Sequence, residues 1–190
     1  MEYETVERDF VLRSIKIIEQ YEEHVRPRVP TEQYYDVTLL LNCLLGLIVL
    51  PFEHSKRKQG NPQFPEIFSG DDTPISELSK DWGIGELKIE RFKINGKNID
   101  GNEITLRKIV AMFRHSMAHS QFGDGGKIQK PDGLSVSYKP AEHDAIKSVI
   151  LEVNFVNEYK QQVDFRAKIP VGSLKLFAIS LANAFITTKN

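Results

Sequence analysis

Arg114 and His119 stand five positions apart in the run Arg114-His115-Ser116-Met117-Ala118-His119. A guanidinium is a permanent cation whose planar fork of N–H groups matches a phosphate. An imidazole is the side chain best suited to exchange protons near neutral pH. Together they are the minimum needed to break an RNA phosphodiester without a metal. The same residues admit plainer uses: Arg114 as a solvated or salt-bridged flank, His119 as an exposed helix end. His115 and His119 also have a workable zinc spacing on one helical face, but Ser116 stands where a zinc protease carries its glutamate. No other His, Cys or acidic cluster accompanies them, so neither a metal nor another cofactor is expected.

These residues need a helix to hold them. Leu106, Ile109, Val110, Phe113 and Met117 recur at the spacing of one apolar helical stripe. Asp100 or Asn102 is the candidate N-cap, and Gly123 fits just past the C-terminus. At about 100° per residue, Arg114 lies roughly 80° from the centre of the stripe and His119 about 140° away on the other side. Neither points into the helix's own core. Ala118, between them, is small enough to admit another helix or a substrate backbone. His119 falls in the last turn, where the helix dipole favours imidazolium and disfavours a phosphate. Arg114 is the nearest cation able to offset that.

The whole chain limits the partners. Its 190 residues suit one domain, and 41% hydrophobic content is ample for a core. The 25 basic and 26 acidic residues nearly cancel, so no global field draws nucleic acid. An RNA site would be local, or assembled from two subunits. Cys43 is the sole cysteine, which excludes an intrachain disulfide; it reads as a buried thiol suited to a reducing cytoplasm. Met1-Glu2-Tyr3-Glu4 lacks an apolar signal core. The apolar run 39–50 is too short to span a bilayer and contains Asn42 and Gly46. A cytoplasmic protein without membrane contact is expected.

Residues 4–24 read as a first helix with Val6, Phe10, Ile17 and Tyr21 as its stripe, ended by Arg26-Pro27-Arg28-Val29-Pro30. Thr31 can cap a second helix running to about Leu50. In it Thr38, Asn42 and Gly46 recur every four residues, a strip that suits close helix packing. The functional alternative places Asn42, with Glu53 about two turns on, behind the Arg/His helix, orienting its side chains. A buried Asn needs hydrogen-bond partners in either case. Residues 54–73 read as a loop, in which Lys56-Arg57-Lys58 is a solvated charge run or a contact for RNA phosphates. A short helix is expected at 74–81 with Thr73 as cap. Leu87, Ile89 and Phe92 suit short extended pieces, with a turn at Asn95-Gly96. Strands follow at 128–130, 134–138, 148–155 and 163–169, with Asp132-Gly133 as a hairpin turn. A last helix covers 171–187, with Leu174, Phe177, Ala178, Leu181, Ala182 and Phe185 on one face. There is no P-loop, dinucleotide fingerprint, CxxC pair or nucleophile elbow.

At Arg114–His119 the chain resembles the HEPN superfamily (higher eukaryotes and prokaryotes nucleotide-binding domains), whose ribonucleases carry R-x4–6-H late in a long helix of a bundle. Leu40-Leu41-Asn42-Cys43-Leu44-Leu45-Gly46-Leu47, followed by Pro51 and Glu53, is similar to the second helix of a compact bacterial branch known from plasmid-encoded HEPN proteins. Elsewhere the resemblance rests on the order of elements. It implies an α+β, mainly α fold: a single HEPN-like domain over 1–190, an antiparallel helical bundle with a small antiparallel β-sheet inserted at about 127–170, before the last helix. It also implies a metal-independent endoribonuclease, often a toxin or phage-defence effector, with Arg114 and His119 catalytic and His115 supporting. Such an enzyme acts on RNA as a homodimer with one composite cleft, and an antitoxin or regulatory partner restrains it. HEPN-like bundles also serve as non-catalytic modules that bind nucleotides or proteins. Two departures stand out: His115 occupies a position that is often Asn or Asp, and the sheet elaborates the bundle.

Overall fold

Alternation of side chains along residues 163–170 sets the core face of a sheet. Phe165, Ala167 and Ile169 are buried while their neighbours are half-buried on the other face. The computed structural model describes residues 6–28, 36–49, 73–78, 82–118, 133–141, 144–159 and 162–187. The elements are helix α1 (Val6–Gln20), α2 (Asp36–Leu44), strands β1 (Lys88–Ile94) and β2 (Lys97–Asn98), helix α3 (Leu106–Ala118), strands β3 (Gly133–Ala141), β4 (Asp144–Tyr159) and β5 (Val163–Pro170), and helix α4 (Val171–Thr187). Wider π turns extend α1 over Tyr21–Val25 and α2 over Leu45–Val49, and a 3-10 turn over Arg26–Arg28 carries the first helix through Pro27.

The sheet is wider than an insert before the last helix. Its five antiparallel strands run in the order β2-β1-β5-β4-β3, so two of them precede α3 in the chain. Phe92 pairs with Phe165, and their rings meet edge to face at 5.1 Å. Strand β1 thereby covers the edge that β5 would otherwise expose. Asn95 (φ 51°) and Gly96 (φ 78°) form the expected turn; positive φ at both positions matches the strand twist of a tight hairpin. A bulge between Ile89 and Arg91 breaks the alternation of β1, which hid the strand from periodicity.

The turn expected at Asp132-Gly133 has Asp132 outside the described residues; Gly133 begins β3, opposite Val156, and β3 pairs with β4, with Ala141 opposite Asp144. Two further expectations need correction. Of the short helix expected at 74–81, the described residues 74–78 form one 3-10 turn, Ile75–Glu77, after which Leu78 is extended. There the chain is held to the start of α3 by Ile75 N–H donating to Ile104 O (2.9 Å) and Leu106 N–H donating to Thr73 O (2.9 Å). In α1 the buried stripe is Val11, Ser14, Ile15 and Ile18, while Phe10 is 45% and Ile17 47% exposed. That helix carries two apolar stripes, and packing selects the one facing α2 and α4. The expected strand at 128–130, the Thr31 cap, Glu53, Lys56, Arg57, Lys58 and Gly123 lie outside the described residues.

The core joins the helices to the inner face of the sheet. Phe113 of α3 stacks on Phe155 of β4 and meets Phe177 of α4 edge to face at 5.6 Å. Leu174, Phe177, Ala178, Leu181 and Ala182 of α4 are all buried, as their spacing predicts. Gly46 serves helix packing: a Cβ there would lie 2.1 Å from Phe10 Cε1 and 2.9 Å from Ser14 Oγ, so its absence lets α1 approach. Among the described residues no helix is long and apolar enough to cross a membrane.

Candidate functional site

Helix α3 forms where its apolar stripe predicts it, but its start is set by a different residue. Asp100 caps a preceding 3-10 turn, its Oδ1 accepting from Gly101 N–H at 2.6 Å. Ile104 is extended, and Thr105 then takes the capping position, its Oγ1 accepting from Lys108 N–H at 3.4 Å. Leu106, Ile109, Val110, Phe113 and Met117 are all buried. The other face carries Arg107, exposed, and Lys108, whose Nζ donates to Glu103 O at 2.7 Å.

Arg114 and His115 are half-buried in the last full turn of α3, off the core stripe. Arg114 Nε is shielded from solvent. Its guanidinium is therefore carried at the edge of the core rather than on a freely waving stem. His119 follows directly on Ala118, the last residue of α3, and lies outside the described residues. The alternative zinc pairing of His115 with His119 likewise has one member there. Among the described residues no three His, Cys, Asp or Glu side chains are grouped so as to hold a metal ion.

Asn42 is exposed, not buried behind α3. What packs against α3 is the following turn, Leu45–Val49, in which Leu47 and Ile48 are wholly buried. The helix turns Asn42 outward because Leu40, Cys43 and Leu44 take the inner face. Burial pushes the Cys43 thiol above its ordinary pKa.

Ser116 escaped sequence reasoning. It is 1% exposed, and its hydroxyl lies 3.0 Å from Met112 O and 3.0 Å from Val156 O of β4. The signal was present: Ser116 follows Phe113 by three and precedes Met117, so it falls within the apolar stripe. A polar residue there must be bonded.

Three cations on the outer face of the sheet are mated to carboxylates across strands. Arg91 pairs with Asp164 at 3.0 Å, Arg166 with Glu158 at 2.6 Å and Lys168 with Glu90 at 2.5 Å. The hydrogen bond from Lys168 holds the Glu90 carboxyl below its usual range, and the hydrogen bonds that Arg166 donates to Glu158 raise its guanidinium further. These residues form a neutralised ladder rather than a basic platform.

No curated protein and no solved structure matches the chain. The family model described as HEPN pEK499 p136 matches over residues 1–190, and the chain therefore belongs to the HEPN family, in its plasmid-encoded-like branch.

Proposed function

We propose that this HEPN protein is a metal-independent endoribonuclease. The observation that carries the reading is Arg114: a half-buried cation with a shielded Nε, in the last turn of a helix anchored on the sheet, five residues before His119. His119 acts as general base on an RNA 2′-hydroxyl or as general acid on the leaving 5′-oxygen; in a symmetric homodimer with a composite cleft the two copies divide these roles. The 2′-oxygen attacks phosphorus and the bond from phosphorus to the 5′-oxygen breaks. The products are a 2′,3′-cyclic phosphate and a 5′-hydroxyl. Arg114 stabilises the charge that builds on the phosphate. His115 assists beside it. Asn42, being exposed, serves only from the surface; Glu53 completes the supporting set, and Lys56, Arg57 and Lys58 add phosphate contacts. The biological role in this reading is a toxin or phage-defence effector held in check by an antitoxin or regulatory partner.

General acid–base catalysis is worth about 10²- to 10⁴-fold and a preorganised charge partner about 10²- to 10³-fold. His119→Ala and Arg114→Ala should therefore each lose at least about a hundredfold in cleavage while keeping the fold, since Arg114 lies off the core stripe of α3 and helical spacing puts His119 off it too. The test is RNA cleavage in EDTA by wild type and both variants, with mass spectrometry of the product ends and light scattering for the dimer. DNA, lacking the 2′-hydroxyl, should survive. A variant that matches wild type in rate would exclude this mechanism.

Charge supports a second reading, a non-catalytic module binding nucleotides or proteins. The net charge is −1, and Arg91, Arg166 and Lys168 of the sheet are neutralised in cross-strand pairs. A nucleotide released on denaturation, with no RNA cleaved, would favour it.

A further inference from the structure

Two residues one turn apart on α3 meet two consecutive residues of β4. Phe113 stacks on Phe155, and Ser116 donates its hydroxyl to Val156 O at 3.0 Å. The two attachments differ in kind. A ring stack resists separation but tolerates sliding, because dispersion and burial have little directional preference. A hydrogen bond weakens steeply when its angle or length changes, so it fixes position along and around the helix axis. Helix ends are where fraying begins, and Ser116 sits in the final turn of α3, two residues after Arg114 and three before His119. The hydroxyl proton is shared with Met112 O in the same helix, also at 3.0 Å. It therefore links the helix's own carbonyl row to the sheet.

We propose that Ser116 is a positioning residue for the Arg114/His119 motif: its bond to the Val156 carbonyl sets the rotation and height of the last turn of α3, which carries Arg114 and from which the chain leads directly to His119. The proposal rests on the ribonuclease reading. It acts through geometry, so loss of the hydroxyl should lower kcat and leave KM for RNA nearly unchanged. Misplacement by about 1 Å can cost on the order of a hundredfold in rate; a loss of about ten- to a hundredfold is expected for Ser116→Ala. Ser116→Cys, which keeps the volume but exchanges a strong donor for a weak one, should behave like Ser116→Ala. Ser116→Thr, which keeps the hydroxyl, should recover most of the rate.

The experiment measures kcat, KM and amide hydrogen exchange for wild type and these three variants. Ile109→Val serves as a control that loosens the buried stripe of the same helix without touching the hydroxyl. The expected result is faster exchange over residues 114–118 than over 107–111 in Ser116→Ala and Ser116→Cys, with kcat lost in both and retained in Ile109→Val. Active wild type with full kcat in Ser116→Ala overturns the positioning role and leaves the ribonuclease reading standing. Equal losses of kcat in Ser116→Ala and Ile109→Val also overturn it, since general loosening then suffices. Inactive wild type, together with inactive Arg114→Ala, overturns the ribonuclease reading and the positioning role with it.

Discussion

The ring of Phe113 lies nearly flat on that of Phe155, with centroids 3.9 Å apart and planes 13° from parallel. Phe177 and Phe165 close on the same ring from α4 and β5, at 5.6 Å and 6.4 Å. One side chain of the motif helix thus joins three other elements. Phe113→Ala should cost about 3–5 kcal/mol, the range for emptying a fully buried aromatic site. Urea unfolding checks this. A loss under about 1 kcal/mol would mean that α3 is held mainly by other contacts.

Three glycines should respond differently to alanine. Gly83 has φ +70°, and a Cβ there would lie 2.2 Å from Ser173 O and 3.0 Å from Phe177 N, both backbone atoms of α4 that cannot step aside. Gly83→Ala should cost about 2–4 kcal/mol, combining left-handed strain with overpacking. Gly46→Ala meets the ring of Phe10, which is 45% exposed and can swing outward. Part of that clash is offset by helix propensity, leaving a loss of about 1 kcal/mol or less. Gly85 has nothing within 4 Å, and Gly85→Ala should fall within about 0.5 kcal/mol of wild type. Thermal melts of the three variants would rank them.

Cys43 should resist alkylation in the native protein and react quickly in denaturant. Burial both raises its pKa and denies access, and the thiolate is the reactive form. Because the folded pKa is raised, the associated stability is full below the unfolded value and is lost as pH rises through the folded one. Iodoacetamide labelling followed by mass spectrometry tests this; rapid native labelling would show that α2 opens locally.

Lys168→Ala should raise the Glu90 carboxyl toward its ordinary value, because the hydrogen bond from Lys168 is the largest cause holding it down. The sign follows from a depressed folded pKa: the stabilisation is present above the unfolded value and disappears as pH falls through the folded one. The carboxylate is solvent-exposed, so the effect belongs to titration rather than to unfolding. NMR titration of the Glu90 side chain is the check, and an unchanged pKa in the variant would refute the pairing.

Much of this architecture can be read from residue spacing. The stripe from Leu106 to Met117 predicts α3, the stripe from Leu174 to Ala182 predicts α4, and Asn95-Gly96 predicts its hairpin turn. Each is a local signal, created by a helical period or by backbone dihedrals that few residues adopt. The place of Arg114 is legible for the same reason: helical spacing puts it off the core stripe, and there it lies half-buried, while His119 falls outside the described residues.

Other features depend on what packs against what. Phe10 and Ile17 were as good a stripe for α1 as Val11, Ile15 and Ile18, and only the neighbouring helices chose between them. Strand β1 is held by pairing with β5, seventy residues away in the chain, across a bulge that erases its alternation. Asn42 is exposed because Leu40, Cys43 and Leu44 compete better for the inner face. The sequence by itself determined which residue types could do chemistry and that Arg114 rides on α3 off its apolar stripe, because those follow from local period and side-chain identity. Only the tertiary structure decided that Ser116 reaches the Val156 carbonyl, because a hydrogen bond between residues forty apart exists only once helix and sheet are packed together.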